Sequence, residues 1–129
     1  MITEDKHDYT PKAPHLFTYK EECVGNKIES FTKFDTEKTR VSLVDPRFIE
    51  GTAEVLTFGA KKYAPNNWKN LEYSEIYRIK DSCMRHMLAY LDGEYIDEDS
   101  GLSHLKHIAC NIMFLNYHEE KKIEEDMYQ

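Results

Sequence analysis

The sequence predicts a mainly α-helical protein: a small domain of three core helices preceded by an extended or short β-hairpin N-terminal segment. Two observations predict it. Apolar residues recur at helical spacing in three stretches, and each stretch is bracketed by capping and breaking residues. Only residues 27–44 alternate, weakly, through Ile28, Phe31, Phe34, Val41, Leu43 and Val44, which is the pattern of extended chain or a hairpin. No repeat or low-complexity tract interrupts the chain.

Residues 1–26 carry Pro11, Pro14 and Gly25 with little periodicity, so a flexible arm is expected there. The first helix, over 46–63, opens at Asp45-Pro46, an acid suited to the N-cap followed by a proline suited to the first helical turn. Ile49, Ala53, Leu56 and Ala60 supply its apolar stripe, and Ala64-Pro65-Asn66-Asn67 ends it. The second, over 74–91, buries Ile76, Ile79, Cys83, Met87 and Tyr90 and stops at Asp92-Gly93. The third, over 100–120, takes Asp99 or Ser100 as its cap and runs into an acidic tail at 121–129. Residues 27–120 therefore form the helical domain. A three-helix unit this small leaves an apolar flank uncovered, which predicts a homo-oligomer.

At 129 residues, 40% hydrophobic and 32% charged, the chain fits one globular domain. No apolar run approaches the roughly 20 residues that span a bilayer, and the N-terminus lacks the basic and apolar regions of a signal peptide. A cytoplasmic protein with no membrane partner is expected. Cys23, Cys83 and Cys110 are odd in number without CxxC spacing, which argues for reduced thiols. A formal net charge of −7 argues against duplex DNA as a partner. Lys33 to Lys69 is nonetheless locally basic, and cations beside carboxylates suit a small phosphorylated ligand that brings a metal.

His104, His107 and Asn111 fall on one helical stripe, beside a second stripe of Leu105, Ile108, Ile112 and Leu115 and just after a run of acids. Imidazoles and carboxylates converging at the edge of a core can hold a divalent metal or move protons. A lone histidine is more often a satisfied core residue; two histidines and an asparagine on one stripe make the two readings about even. His86, mid-helix, is expected opposite this stripe. The candidate site then lies where the three helices meet, lined by Glu54, His86, Glu94, Asp97, His104 and His107.

Of these, Glu54, Glu94 and Asp97 are the catalytic candidates and His86, His104 and His107 the metal ligands. Ordinary helix capping is the alternative for the acids after Gly93, and solvation the alternative for Glu54. Lys33, Lys38, Arg40, Lys61, Lys62 and Arg85 are candidate phosphate ligands, because cations lower the barrier where phosphate charge develops. Lysines at a helix C-terminus also complement its dipole without any function. Tyr63, Trp68 and Asn111 are candidates for holding a base, although aromatics at such spacing are more often core.

Three blocks carry a family resemblance. The first is Lys33-Phe-Asp35 with Lys38, Arg40 and Leu43; the second is Glu54, Phe58-Gly-Ala-Lys-Lys-Tyr63 and Asn67-Trp68. The third is Arg85-His86, Gly93-Glu94, Asp97, Ser100 through His107, and Asn111-Ile-Met-Phe-Leu115. Across Phe31 to Leu115 the chain resembles the phage dATP/dGTP diphosphohydrolase family, in which a region like this one is N-terminal in longer members. The resemblance implies hydrolysis of purine deoxynucleoside triphosphates to monophosphate and pyrophosphate with a divalent metal, in the cytoplasm of an infected host. A more distant resemblance is to the MazG-type all-α pyrophosphohydrolases, which bind magnesium through ExxE and ExxD pairs. This chain departs from them, with Glu50 and Glu54 on the first helix and His104 and His107 where the second pair would fall. Histidines there either favour a softer ion such as manganese, cobalt or zinc over an all-oxygen magnesium site or mean that no metal is bound at that pair, and the expected cofactor is a divalent metal, Mg, Mn or Co. Two other classes stay open: a non-catalytic binder that sequesters a nucleotide-derived host-defence signal, and a subunit whose partner supplies catalysis.

Overall fold

The computed structural model describes residues 30–128. The chain divides into two compact units, 1–39 and 40–129. In the first, the described residues 30–39 form irregular chain with one turn, closed where the Lys38 N–H donates to the Asp35 carbonyl at 3.0 Å. No hairpin is present among the described residues of 30–44, so the weak alternation there marks no ladder; the arm predicted over 1–26 lies outside the described residues.

The second unit holds the three expected helices: α1 (Pro46–Lys62), α2 (Tyr77–Leu91) and α3 (His104–Met127), with single 3-10 turns at Val41–Leu43, Asn67–Asn70 and Tyr73–Glu75. No helix among the described residues is long and apolar enough to cross a membrane. α3 is the central element, since both α1 and α2 pack on it.

The start of α1 is written locally. The Asp45 carboxylate accepts the Arg47 N–H at 2.9 Å, Pro46 takes the first turn, and the Arg47 guanidinium closes back on the same carboxylate. The helix ends where the Tyr63 N–H donates to the Gly59 carbonyl and Asn66 adopts a left-handed φ of 62°. α2 starts three residues later than expected, because a 3-10 turn at Tyr73–Glu75 leads into it with no side-chain cap. The Tyr73 hydroxyl anchors that turn by donating to Glu119 of α3 at 2.9 Å. Gly93, with φ 94°, stops α2 as the sequence predicts.

Ser103, not Asp99 or Ser100, caps α3: its hydroxyl oxygen accepts the Lys106 N–H at 3.2 Å. The reason lies just upstream. Asp97 and Leu102 bond through their backbones at 2.8 Å, Ile96 bridges to Ser103, and Gly101 turns with φ 72°. Residues 97–102 are thereby held in a closed turn, and helix can begin only beyond it. α3 then runs through most of the acidic tail to Met127.

Burial is uneven. The buried hydrophobic side chains among the described residues are Ile76 and Cys110, whereas Ser103, His104, Asn111 and His118 are buried polar ones. His118 is satisfied, since its Nε2–H donates to the Trp68 carbonyl at 2.9 Å. The α1 stripe is less buried than expected, with Ile49 exposed. On the outward side of α2, Met84, Leu88 and Leu91 stand in solvent, the apolar flank anticipated for so small a unit.

Candidate functional site

The α2–α3 interface carries imidazole where a helical pair ordinarily carries hydrocarbon. His86 sits on the α3-facing side of α2, and His104 and His107 occupy the first turn of α3. His86 Nδ1 lies 2.8 Å from His104 Nδ1, and the His86 and His107 rings stack with centroids 4.4 Å apart and planes 3° from parallel. His104 and His107 therefore do not face bulk solvent, and the convergence expected from helical spacing is present. His104 is buried more deeply than a residue at the edge of a core, at 4% exposure.

The loop after Gly93 folds two acids onto this cluster. Asp97 Oδ2 accepts from the Ser100 N–H at 3.1 Å and from the Ser100 hydroxyl at 2.9 Å, and it lies 3.5 Å from His107 Nε2. His107 Nε2 is 2.6 Å from Ser100 Oγ. Because the Ser100 hydroxyl proton goes to Asp97, the His107 Nε2–H is the donor to Ser100. Glu94 Oε1 stands 3.6 Å from His104 Nε2, which is buried and has no hydrogen-bond partner among the described residues.

Charge follows from these contacts. Burial holds the His86 and His107 imidazoles below their ordinary pKa; neighbouring imidazoles add to this, and Asp97 opposes it. Burial pushes the Asp97 carboxyl up, but the two Ser100 hydrogen bonds and the nearby imidazoles outweigh it and leave Asp97 below the usual carboxylate range. His86 and His107 are thus biased toward neutral imidazole beside an ionised Asp97, and nitrogen and carboxylate donors together suit a divalent cation. Ligand atoms of His86, Asp97 and His104 lie within 4.8 Å of one another. This differs from the sequence assignment, which placed His107 among the ligands and Asp97 among the catalytic acids. Here the Nε2 of His107 is occupied by Ser100, and Asp97 sits with the other two histidines. Ser100 was missed as a site residue, although its place between Asp97 and His107 was a usable signal.

Glu54 departs from expectation. It pairs with Lys106 Nζ at 3.1 Å, and Lys106 crosses α1 against Gly51, where an added Cβ would sit 3.1 Å from the lysine stem. Glu54 faces a shallow depression shared with Glu50, Lys61 and Ser100, and it is not among the grouped ligand atoms.

Two adjoining cavities, about 640 and about 670 Å³, share walls from Tyr63, Asn67, Trp68, Ser82, Arg85, Asn111 and Phe114. Volumes of this size suit a nucleotide. Lys62 and His107 line the second cavity, so it opens onto the imidazole cluster. Asn111 is held by donating from its Nδ2 to Ser82 Oγ at 3.3 Å. Trp68 is already engaged, stacked on Phe114 at 4.6 Å and met edge-on by Tyr117, whereas Tyr63 is exposed at the rim. Cys110 also lines this cavity; burial pushes its thiol up to about 11, which keeps it inert.

The six candidate phosphate ligands do not all gather. Lys62 and Arg85 share the second cavity, Lys61 faces the depression beside Glu54, and Arg40 lines none of these hollows. Lys33 and Lys38 are exposed residues of the first unit.

No solved structure matches the chain. A protein of Salmonella phage PMBT28 named dATP/dGTP diphosphohydrolase is 41% identical over 83 residues, which is 64% of this chain and 28% of that protein. The chain thus spans little more than a quarter of the relative it matches. The family described as dATP/dGTP diphosphohydrolase, N-terminal, matches residues 29–127, a span that includes the imidazole cluster, both cavities and all three helices. The chain belongs to that family.

Proposed function

We propose that the helical unit binds a purine deoxynucleoside triphosphate, dATP or dGTP, and hydrolyses it to the monophosphate and pyrophosphate as part of a phage programme that reshapes the nucleotide pool. The observation that carries this reading is the junction at His107, where a cavity bearing Lys62 and Arg85 opens onto the imidazole–carboxylate cluster. The name of the phage relative supports the same chemistry.

In this reading the base enters the side of the groove lined by Tyr63 and Asn111, and the phosphates lie toward Lys62, Arg85 and His107. Water adds to phosphorus as the bond to the bridging oxygen breaks, and pyrophosphate leaves with the charge that Lys62 and Arg85 face. A divalent metal held by the cluster would supply Lewis acidity at the phosphate oxygens. We assign the proton from the attacking water to Glu94, whose half-exposed carboxylate stands beside His104. Glu54 takes no part, being neutralised by Lys106.

The test is to incubate the purified chain with dATP, dGTP and a panel of other nucleoside triphosphates, with magnesium, manganese or cobalt, and to measure pyrophosphate. Release from dATP or dGTP is the expected result. Saturable binding with intact nucleotide recovered would replace the hydrolase with a sequestering protein, because the cationic cavity serves either purpose. Neither binding nor hydrolysis would remove both.

A further inference from the structure

We infer that His86, His104 and Asp97 form a binding site for one borderline divalent ion of the manganese, cobalt and zinc class, with Glu94 orienting His104 from outside the ligand set. The inference rests on the proposed function for its purpose and on the geometry for its ligands.

Two imidazole nitrogens 2.8 Å apart cannot both present bare lone pairs; a proton or a cation must lie between them. A shared proton leaves a difficulty on the far side of His104. If His104 Nδ1 donates, its Nε2 is a buried acceptor with no donor. If Nδ1 accepts, Nε2 carries a proton and faces Glu94 Oε1 with nitrogen and oxygen 3.6 Å apart, longer than a hydrogen bond. An ion between the two Nδ1 atoms removes the first difficulty, because it fixes the Nε2–H tautomer of His104 and leaves no bare buried acceptor there; the 3.6 Å separation from Glu94 Oε1 is the same with or without it. Each Nδ1 then gives its lone pair to the ion, and each Nε2 keeps its proton. The His104 Nε2–H points at a carboxylate, the arrangement that fixes the tautomer of metal-bound histidines.

Asp97 completes the set. Ser100 occupies Oδ2 with two hydrogen bonds, and no hydrogen bond to Oδ1 is formed among the described residues. The carboxylate is therefore held from one side and offered from the other. Two imidazoles and one carboxylate make a mixed nitrogen and oxygen set, which favours first-row transition ions over magnesium or calcium. Three protein ligands also leave coordination positions open, as catalytic sites require. His107 is excluded from direct ligation through Nε2 by its bond to Ser100 and serves to position Asp97 through that serine.

The test uses cobalt(II) alone, with no nucleotide, on the full chain. The wild type is expected to bind one ion per chain, read by calorimetry and by the visible absorption of the bound ion, and excess magnesium should not displace it. Asp97→Asn and His86→Ala should each weaken cobalt binding by more than the roughly 100-fold seen when outer partners of a metal site are lost, and Glu94→Gln by about 10-fold. His107→Ala should retain the absorption band. Circular dichroism identifies any variant that fails to fold. For wild type, paramagnetic shifts of the His86 and His104 ring resonances, with His118 unmoved, give a readout independent of mutation. No cobalt binding by wild type, affinity unchanged in both Asp97→Asn and His86→Ala, or shifts confined to other histidines would overturn the site. Hydrolysis supported by magnesium with no cobalt bound would overturn it while leaving the proposed function intact; cobalt bound without hydrolysis would do the reverse.

Discussion

α3 is packed from two sides, and the two interfaces differ in kind. Toward α1 it offers Lys106, whose stem lies on Gly51 and whose ammonium meets Glu54 with both side chains well exposed, at 38% and 43%. Toward α2 it offers His104 and His107, at 5% and 12% side-chain exposure, against His86. Both interfaces join polar side chains, yet only one removes them from water. A solvated ion pair satisfies itself and contributes little. A buried imidazole cluster with an unpartnered nitrogen is costly unless something further completes it.

The sharpest way to break this contrast is His104→Ala. Removing a buried ring empties a cavity and strands His86 Nδ1, so a loss of about 2–4 kcal/mol in denaturant unfolding is expected. A loss below about 1 kcal/mol, the size of an ordinary point mutation, would show that the cluster is no more strained than the surface. Acid should reveal the same asymmetry. His86 and His107 have folded pKa values below the ordinary 6.5, so the unfolded chain binds protons that the folded chain refuses. Their contribution to stability is complete above pH 6.5 and falls as the pH drops through that value toward the lower folded ones. Unfolding midpoints measured in steps from pH 8 to pH 5 should decline over this window, and they should decline less in a His86→Gln variant.

Next in size is the cavity. Arg85→Ala should weaken binding of dATP or dGTP about 10-fold, or about 1.4 kcal/mol, with the loss shrinking as salt rises. Arg40→Ala should leave affinity unchanged, because Arg40 lines none of the hollows. Equal losses in calorimetry for both variants would move the phosphates elsewhere. The smallest effect is predicted for the other interface: Glu54→Ala and Lys106→Met should each cost no more than about 1 kcal/mol, and Glu54→Ala should leave hydrolysis within about twofold of wild type. Abolished hydrolysis in Glu54→Ala would restore it to the catalytic acids.

What the sequence disclosed, and what it did not, follows the range of each interaction. Asp45-Pro46 and Asp92-Gly93 were legible because a cap and a stop act within a few residues. The start of α3 was not, since Asp99, Ser100 and Ser103 are all good caps, and the choice depends on the Asp97–Leu102 and Gly101–Asp97 backbone bonds that close the turn. The meeting of His86 with His104 and His107 was legible from periodicity on two apolar-edged helices. The pairing of Glu54 with Lys106 was hidden, joining residues 52 apart through the space that Gly51 leaves open. The cationic block gathers only in part, for a geometric reason. Lys61 and Lys62 are neighbours in sequence but about 100° apart around the helix, so one faces the cavity and the other the depression beside Glu54.

An interior in which buried histidine, serine and asparagine outnumber buried hydrocarbon has a calorimetric consequence. Apolar exposure raises the heat capacity of unfolding and polar exposure lowers it. With Ile76 and Cys110 as the buried apolar side chains among the described residues, the heat-capacity change per residue should fall below the usual ~12–15 cal/mol/K. The stability curve is then flatter with temperature, and the melting point responds steeply to any ligand that binds only the folded chain.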